Sequence, residues 1–507
     1  MSIDSLPLIT ITAAIPLVAA VVLWLLPATV ARVARPIALT ASLVTLGAGV
    51  VMVASFDTSQ SATHQFVETY RWIQPIGASY AVGVDGVGLA LVILSVLLVP
   101  LVILAAWKEH GGVTVGSGSR LRHYLALILV LETMMVLIFA ARDVFLFYVV
   151  FEAMLIPVYF MIGLFGHGAR RRYAAIKFLL FSLVGGLIML IAMIALFITG
   201  PGGAEGFLIS SLTGAVENPT LEKWIFLGFF IPFAIKAPMF PVHTWLPDTA
   251  QHAPAGTSVL LVGVLDKVGT FGMLTLCLPL FPNASQWAAP TIIILALISI
   301  IYGALLALGQ RDLMRLIAYT SVSHFGFIVL GIFTFSSAGI SGSAFYMVNH
   351  GLSTGLMFLV AGFLFLRSRS VTPQHIAEYG GMQRVTPVLA GVFLVAGLSA
   401  LSMPGLSTFI SEITVLIAAF DTSPWVAAIA ALGVILAALY ILLTYQRIFT
   451  GPPPANTEPT ADLTVREKVV AAPLIAVMLL LGFLPGLALS YLSEPADVAV
   501  TTVQGGN

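Results

Sequence analysis

KAPMFPVHTWLPDTAQHAPAGTSVLLVGVLDK, from Lys236 to Lys267, sits at mid-chain in a polypeptide that is otherwise almost continuously apolar. It has a lysine at each end, with Pro238 and Pro241 close behind the first. In lipid each ammonium costs roughly 3 kcal/mol to insert at mid-bilayer. Each proline removes a backbone hydrogen bond. A membrane protein keeps such a stretch only where a function offsets the cost.

Composition makes the membrane reading firm. The 507 residues are 59% hydrophobic and 9% charged, with a mean hydropathy of +1.05, whereas soluble domains carry roughly 25% charged residues. The net charge is zero, which points neither to nucleic acid nor to an acidic surface partner. A single cysteine, Cys277, excludes an intrachain disulfide and a thiolate-held iron–sulfur cluster. There is no glycine-rich nucleotide loop after a strand pattern and no paired His/Cys ligand spacing. Any redox chemistry that the chain serves is therefore expected in other subunits.

The apolar runs predict an all-α polytopic membrane protein of about fourteen transmembrane helices. The spans fall at 6–27, 36–55, 86–107, 121–140, 143–164, 174–199, 223–243, 254–280, 289–308, 313–334, 338–366, 385–418, 424–449 and 468–492. The first has no basic region before it and matches a full bilayer span, so it reads as a retained helix. Seventeen of the 22 Lys and Arg fall in the odd-numbered loops, and only Arg71, Arg142 and Lys223 in the even-numbered ones. The positive-inside rule then puts the odd loops in the cytoplasm and both termini outside. The connections, 56–85, 200–220 and 451–463 being the longest, are too short for a soluble domain.

Two spans break the rules of a continuous helix. The seventh is interrupted around Lys236, Pro238 and Pro241, and the twelfth within LSMPGLSTFISE at Pro404 and Gly405. Interruptions five helices apart predict two inverted five-helix repeats, spans 4–8 and 9–13, with an ion path past the broken helices. The chain then divides into 1–120 (spans 1–3), 121–280 (first repeat), 281–450 (second repeat) and 451–507 (the last loop and span).

Glu132, Glu152, Lys236, Asp266, Lys267, His324, His350 and Glu412 are ionisable residues inside spans, where a charge reads as functional. Glu152 and Lys236 both lie near helix centres and are expected to face each other as an ion pair; a static packing salt bridge is the plainer alternative. Lys267, His324 and His350 continue the row and Glu412 ends it, with Thr320, Ser321, Ser323, Ser353 and Thr354 as expected anchors for water. The role of Asp266 stays open, since neighbouring helix positions point about 100° apart. Arg142 and Asp143 read as anchors at a span boundary. His243, Asp248 and His252 lack a third close nitrogen or sulfur ligand and read as a hydrogen-bonded turn rather than a metal site.

FEAMLIPVYFMIGLFG (151–166), KAPMFPVHTWLPDTAQHAPAGTSVLL (236–261), RDLMRLIAYTSVSHFGF (311–327) and MPGLSTFISE (403–412) resemble the signatures of the antiporter-like subunits of proton-pumping NADH:quinone oxidoreductase, respiratory complex I. The likeness spreads over about residues 80–450. It implies the fourteen-helix fold with inverted repeats. It also implies a proton-translocating row of Glu152, Lys236, Lys267, His324, His350 and Glu412. Asp266 departs from the family pattern, in which an apolar residue often precedes the lysine. Within the group, Glu412 stands where the L and N paralogues carry a lysine, and the chain ends after span 14; both resemble the M branch.

The resemblance further implies no cofactor in this chain, with FMN, iron–sulfur clusters and quinone in partner subunits. The expected neighbours are the L and N paralogues and lipids, with no nucleic acid, in a bacterial inner membrane with both termini on the periplasmic side. Mrp-type cation/proton antiporters and membrane-bound hydrogenases share these motifs and form the alternative. A purely structural scaffold would need no midplane charges.

Overall fold

In lipid a backbone must satisfy its own hydrogen bonds, so the apolar runs have little choice but helix. The computed structural model describes residues 6–27, 33–108, 117–368, 374–452 and 461–505. In chain order its long helices are α1 (Leu8–Leu25), α2 (Ala34–Ser55), α3 (Gly86–Ala105), α4 (Arg120–Ala140), α5 (Val144–Phe165) and α6 (Arg171–Thr199). A broken pair follows, α7 (Pro219–Lys236) and α8 (Trp245–His252). Next come α9 (Ala255–Leu280), α10 (Pro282–Leu308), α11 (Leu313–Ile332) and α12 (Ser337–Phe365). A second broken pair is α13 (Pro387–Ala400) and α14 (Ser407–Thr422). The chain closes with α15 (Pro424–Phe449), α16 (Val465–Phe483) and α17 (Gly486–Gln504).

Among the described residues, eleven helices are long and apolar enough to cross a membrane, or twelve if α16 and α17, bent by 67°, are one crossing. The expected fourteen is reached only by counting the two broken pairs as crossings as well. The last span does not run straight through 468–492 as expected. Pro485 lacks a backbone donor, and the chain bends between Phe483 and Gly486. Arg32 and Arg369, counted among the basic loop residues, lie outside the described residues, as does most of the proline-rich stretch 451–463.

The loop at 56–85 departs from the all-α expectation. It forms an antiparallel hairpin of β1 (Gln65–Ile73) and β2 (Ala78–Val84), with Tyr70 opposite Tyr80. Gly77 turns the corner at φ 71°, a left-handed conformation that glycine adopts without strain. The hairpin is tied down by carboxylates. Glu68 accepts the free N–H groups of Ile9 (3.0 Å) and Thr10 (3.1 Å) at the start of α1, where the helix dipole favours an anion. Glu494 on α17 accepts Ala62 N–H at 3.1 Å. Asp143 caps α5 through Leu146 N–H (2.9 Å) and also accepts Ser79 N–H (3.0 Å) from β2. Asp312 caps α11 through Arg315 N–H in the same way (3.0 Å). An Arg-Asp pair thus precedes both helices, Arg142-Asp143 before α5 and Arg311-Asp312 before α11.

Burial sorts the helices. Within their most apolar stretches, α9, α11 and α12 are almost wholly covered by other helices, whereas α2 and α15 leave most of theirs uncovered. The three covered helices carry Lys267, His324 and His350, so these three sit at the centre of the bundle.

Candidate functional site

Lys236 ends α7 because Pro238 stops it. Without an N–H on Pro238, the carbonyls of the last turn need other donors. Met239 N–H reaches Ala234 O at 3.0 Å, and the indole of Trp245 donates to Ile235 O at 3.0 Å. A helix C-terminus is a partial negative charge, and the terminal ammonium of Lys236 completes it. That ammonium is buried, lies 5.0 Å from the Phe151 ring centroid and 5.7 Å from that of Phe178, and has no hydrogen-bond partner.

The expected Glu152–Lys236 contact pair is therefore absent: among the described residues the two do not come within 4.0 Å as an ion pair. The reason is local. Positions 151 and 152 diverge by about 100° on the helix, so the Phe151 ring, not the carboxylate, meets the ammonium. Glu152 instead lies against Gly186 of α6, where an added Cβ would sit 1.7 Å from its Oε1. The carboxylates in electrostatic reach of Lys236 are Glu152 and Asp266. Asp266 also reaches Lys267, so its carboxylate is in electrostatic reach of both lysines, with both of its oxygens buried and unpartnered.

Lys267 lies on α9 between two π-helical turns, Leu261–Leu265 and Met273–Cys277. Such a turn widens the helix and frees carbonyls, a distortion common at functional sites. Lys267 Nζ donates to Val262 O at 2.6 Å and lies 2.7 Å from His350 Nδ1 on α12. Close approach of α9 to the broken helix depends on Gly269, whose added Cβ would fall 2.4 Å from Phe233 O.

From His350 the row continues. The rings of His350 and His324 are 5.4 Å apart between centroids. His324 Nδ1 is 2.8 Å from the Tyr346 hydroxyl, which donates to Glu412 Oε2 at 2.6 Å; Ser402 Oγ donates to the same oxygen at 2.5 Å. Lys267, His350, His324 and Glu412 are thus brought into one buried file across α9, α12, α11 and α14.

Tyr346 and Ser402 were missed by sequence reading. Tyr346 precedes His350 by four positions and so shares its helix face, a signal available in the sequence. Ser402 has φ 58° in the break between α13 and α14 and is legible only from the fold. The anticipated water-anchoring hydroxyls donate to backbone carbonyls, Thr320 and Ser321 to Ile317 O, Ser323 to Ile300 O and Ser353 to His350 O, and keep their acceptor lone pairs. Thr354 is buried without a partner, as are both carboxylate oxygens of Glu132, which joins no other member of the row. Asp248 pairs with Lys177 at 2.6 Å and with Arg315, while His252 meets His167 O at 3.2 Å. Among the described residues no three His, Cys, Asp or Glu gather to hold a metal ion.

Comparison with known proteins matches this architecture. Residues 141–439 fit the family described as NADH:quinone oxidoreductase/Mrp antiporter, TM. NADH-quinone oxidoreductase subunit M of Mycobacterium tuberculosis is 44% identical over 99% of this chain and 95% of its own length. A chain of respiratory complex I from Thermus thermophilus superposes with a TM-score of 0.87 at 31% identity, covering 98% of this chain and 99% of that one. A chain of the Mrp complex from a Dietzia species has a TM-score of 0.86 at 21% identity over 99% of both, a likeness of fold alone. The chain is a multi-pass membrane protein that belongs to the NADH:quinone oxidoreductase/Mrp antiporter family, with the subunit M proteins of NADH-quinone oxidoreductase as its relatives.

Proposed function

We propose that Glu152, Lys236, Lys267, His350, His324 and Glu412 translocate protons in this antiporter-like subunit, driven by NADH oxidation and quinone reduction in other subunits. The observation that carries the reading is the buried file from Lys267 to Glu412, with Lys236 one helix away at the break of α7. FMN, the iron–sulfur clusters and the quinone belong to partner subunits, and no electron enters this chain. L- and N-type paralogues flank it in a bacterial inner membrane, with both termini on the periplasmic side. Residues 121–280 and 281–450 act as two inverted repeats; the matching Arg-Asp caps of α5 and α11 and the matching breaks after α7 and α13 support this.

The energetics are compatible. Moving one charge against about 180 mV costs roughly 4 kcal/mol. That equals a swing of about three units in the proton affinity of a relay group. Glu152 is only half-buried in the isolated chain, so a neighbouring subunit could change its charge balance and, through it, that of Lys236. Lys236 held between rings and short of a contact ion pair suits this role, since its proton is not locked by one partner.

Purification of this chain by affinity tag from its native membrane tests the assignment. It is expected to bring down subunits holding FMN and iron–sulfur clusters together with NADH:quinone activity. A partner set lacking both, with cation/proton exchange instead, would contradict it.

A further inference from the structure

We propose that the Tyr346 hydroxyl transfers the proton between His324 and Glu412. The inference rests on the relay reading above and adds a residue to it. A hydroxyl has one proton, and at 2.6 Å Tyr346 gives it to Glu412 Oε2. Its oxygen can then only accept from His324, 2.8 Å away, which must present Nδ1–H. The same reasoning fixes the other histidine. Lys267 as ammonium has donors only, so His350 Nδ1 accepts and its proton sits on Nε2. The Nε2 atoms of both histidines are buried without a partner. One is a donor and the other an acceptor, so with Glu412 ionised the hydrogen bonds of the file run from Lys267 to His350 and from His324 through Tyr346 to Glu412.

The step balances. A proton reaching His324 Nε2 makes an imidazolium. Its Nδ1–H bond breaks as a new O–H bond forms on Tyr346, and the original O–H bond of Tyr346 breaks as Glu412 Oε2 is protonated. One proton has moved, and His324, Tyr346 and Glu412 are all left neutral. The groups facing Tyr346 are His324 from α11, Glu412 from α14, Ser402 from the break before α14 and Tyr440 from α15, with His350 four positions along its own helix. Ser402 holds the carboxylate by a second donor, whereas Tyr346 hydrogen-bonds both the carboxylate and His324.

The test uses the assembled complex in inside-out membrane vesicles, reading protons moved per NADH oxidised. Tyr346→Phe removes one oxygen and keeps the ring, and it is expected to lower that ratio to the level of Glu412→Gln. A 3,5-difluorotyrosine at 346 keeps both hydrogen bonds but carries a more acidic hydroxyl. It is expected to preserve pumping and to move its pH profile toward lower pH, which a packing role would not do. A native ratio for Tyr346→Phe, alongside a lowered one for Lys236→Ala, overturns this inference and leaves the relay reading standing. A native ratio for both variants overturns the two together. If Tyr346→Phe fails to assemble, an unmoved pH profile for the fluorinated chain overturns the inference.

Discussion

Replacing Lys267 with Met is expected to leave an assembled complex that oxidises NADH but moves fewer protons for each one. Methionine matches the length of the lysine stem and brings no charge, so α9 keeps its packing. What is lost is the donor to Val262 O and His350 Nδ1, at 2.6 and 2.7 Å. Leaving two buried acceptors unmet costs roughly 1–3 kcal/mol each, which the covered core around α9 can bear. The file, however, loses its first member and the donor that orients His350. A tenfold or greater fall in proton flow through this subunit is expected, about 1.4 kcal/mol or more at the transfer barrier. The check is acidification of vesicles per NADH, with subunit content verified. Full acidification would mean that His350 is loaded by some other route.

Glu412→Gln is expected to have an effect of similar size for a different reason. The amide oxygen can still accept from Tyr346 and Ser402, so the break before α14 keeps its hydrogen bonds. The amide cannot take up a proton at neutral pH. Protons would stop at His324, and the pumped ratio should fall with little change in the amount of assembled complex. A drop in assembly with a normal ratio per assembled complex would instead make Glu412 a structural residue.

The membrane class, the broken seventh and twelfth spans and the row of ionisable residues were legible in the sequence because each leaves a mark in residue type: apolar runs, prolines beside Lys236 and at 404, and charges where lipid forbids them. Three features were not. The hairpin at 65–84 lies in a stretch between two apolar runs that reads only as a loop. The Glu152–Lys236 contact was expected from helix depth alone, but azimuth decides it, and the adjacent Phe151 ring takes the place of the carboxylate. Tyr346 and Ser402 carry no charge, so nothing in composition marks them; only the fold brings a hydroxyl from α12 and another from the break before α14 onto one oxygen of Glu412. The placing of Asp266 is likewise legible only in the fold. Its sequence neighbour is Lys267, yet its carboxylate is also in electrostatic reach of Lys236 across the break.

The most direct measurement of the central claim is the number of protons translocated per NADH by an intact complex carrying Lys236→Ala. Lys236 sits at the broken end of α7, before the file begins, and the other ammonium, that of Lys267, is already engaged with Val262 O and His350 Nδ1. The account predicts a lower ratio with the complex fully assembled. An unchanged ratio would contradict it, because protons would then be crossing without the residue on which the path depends.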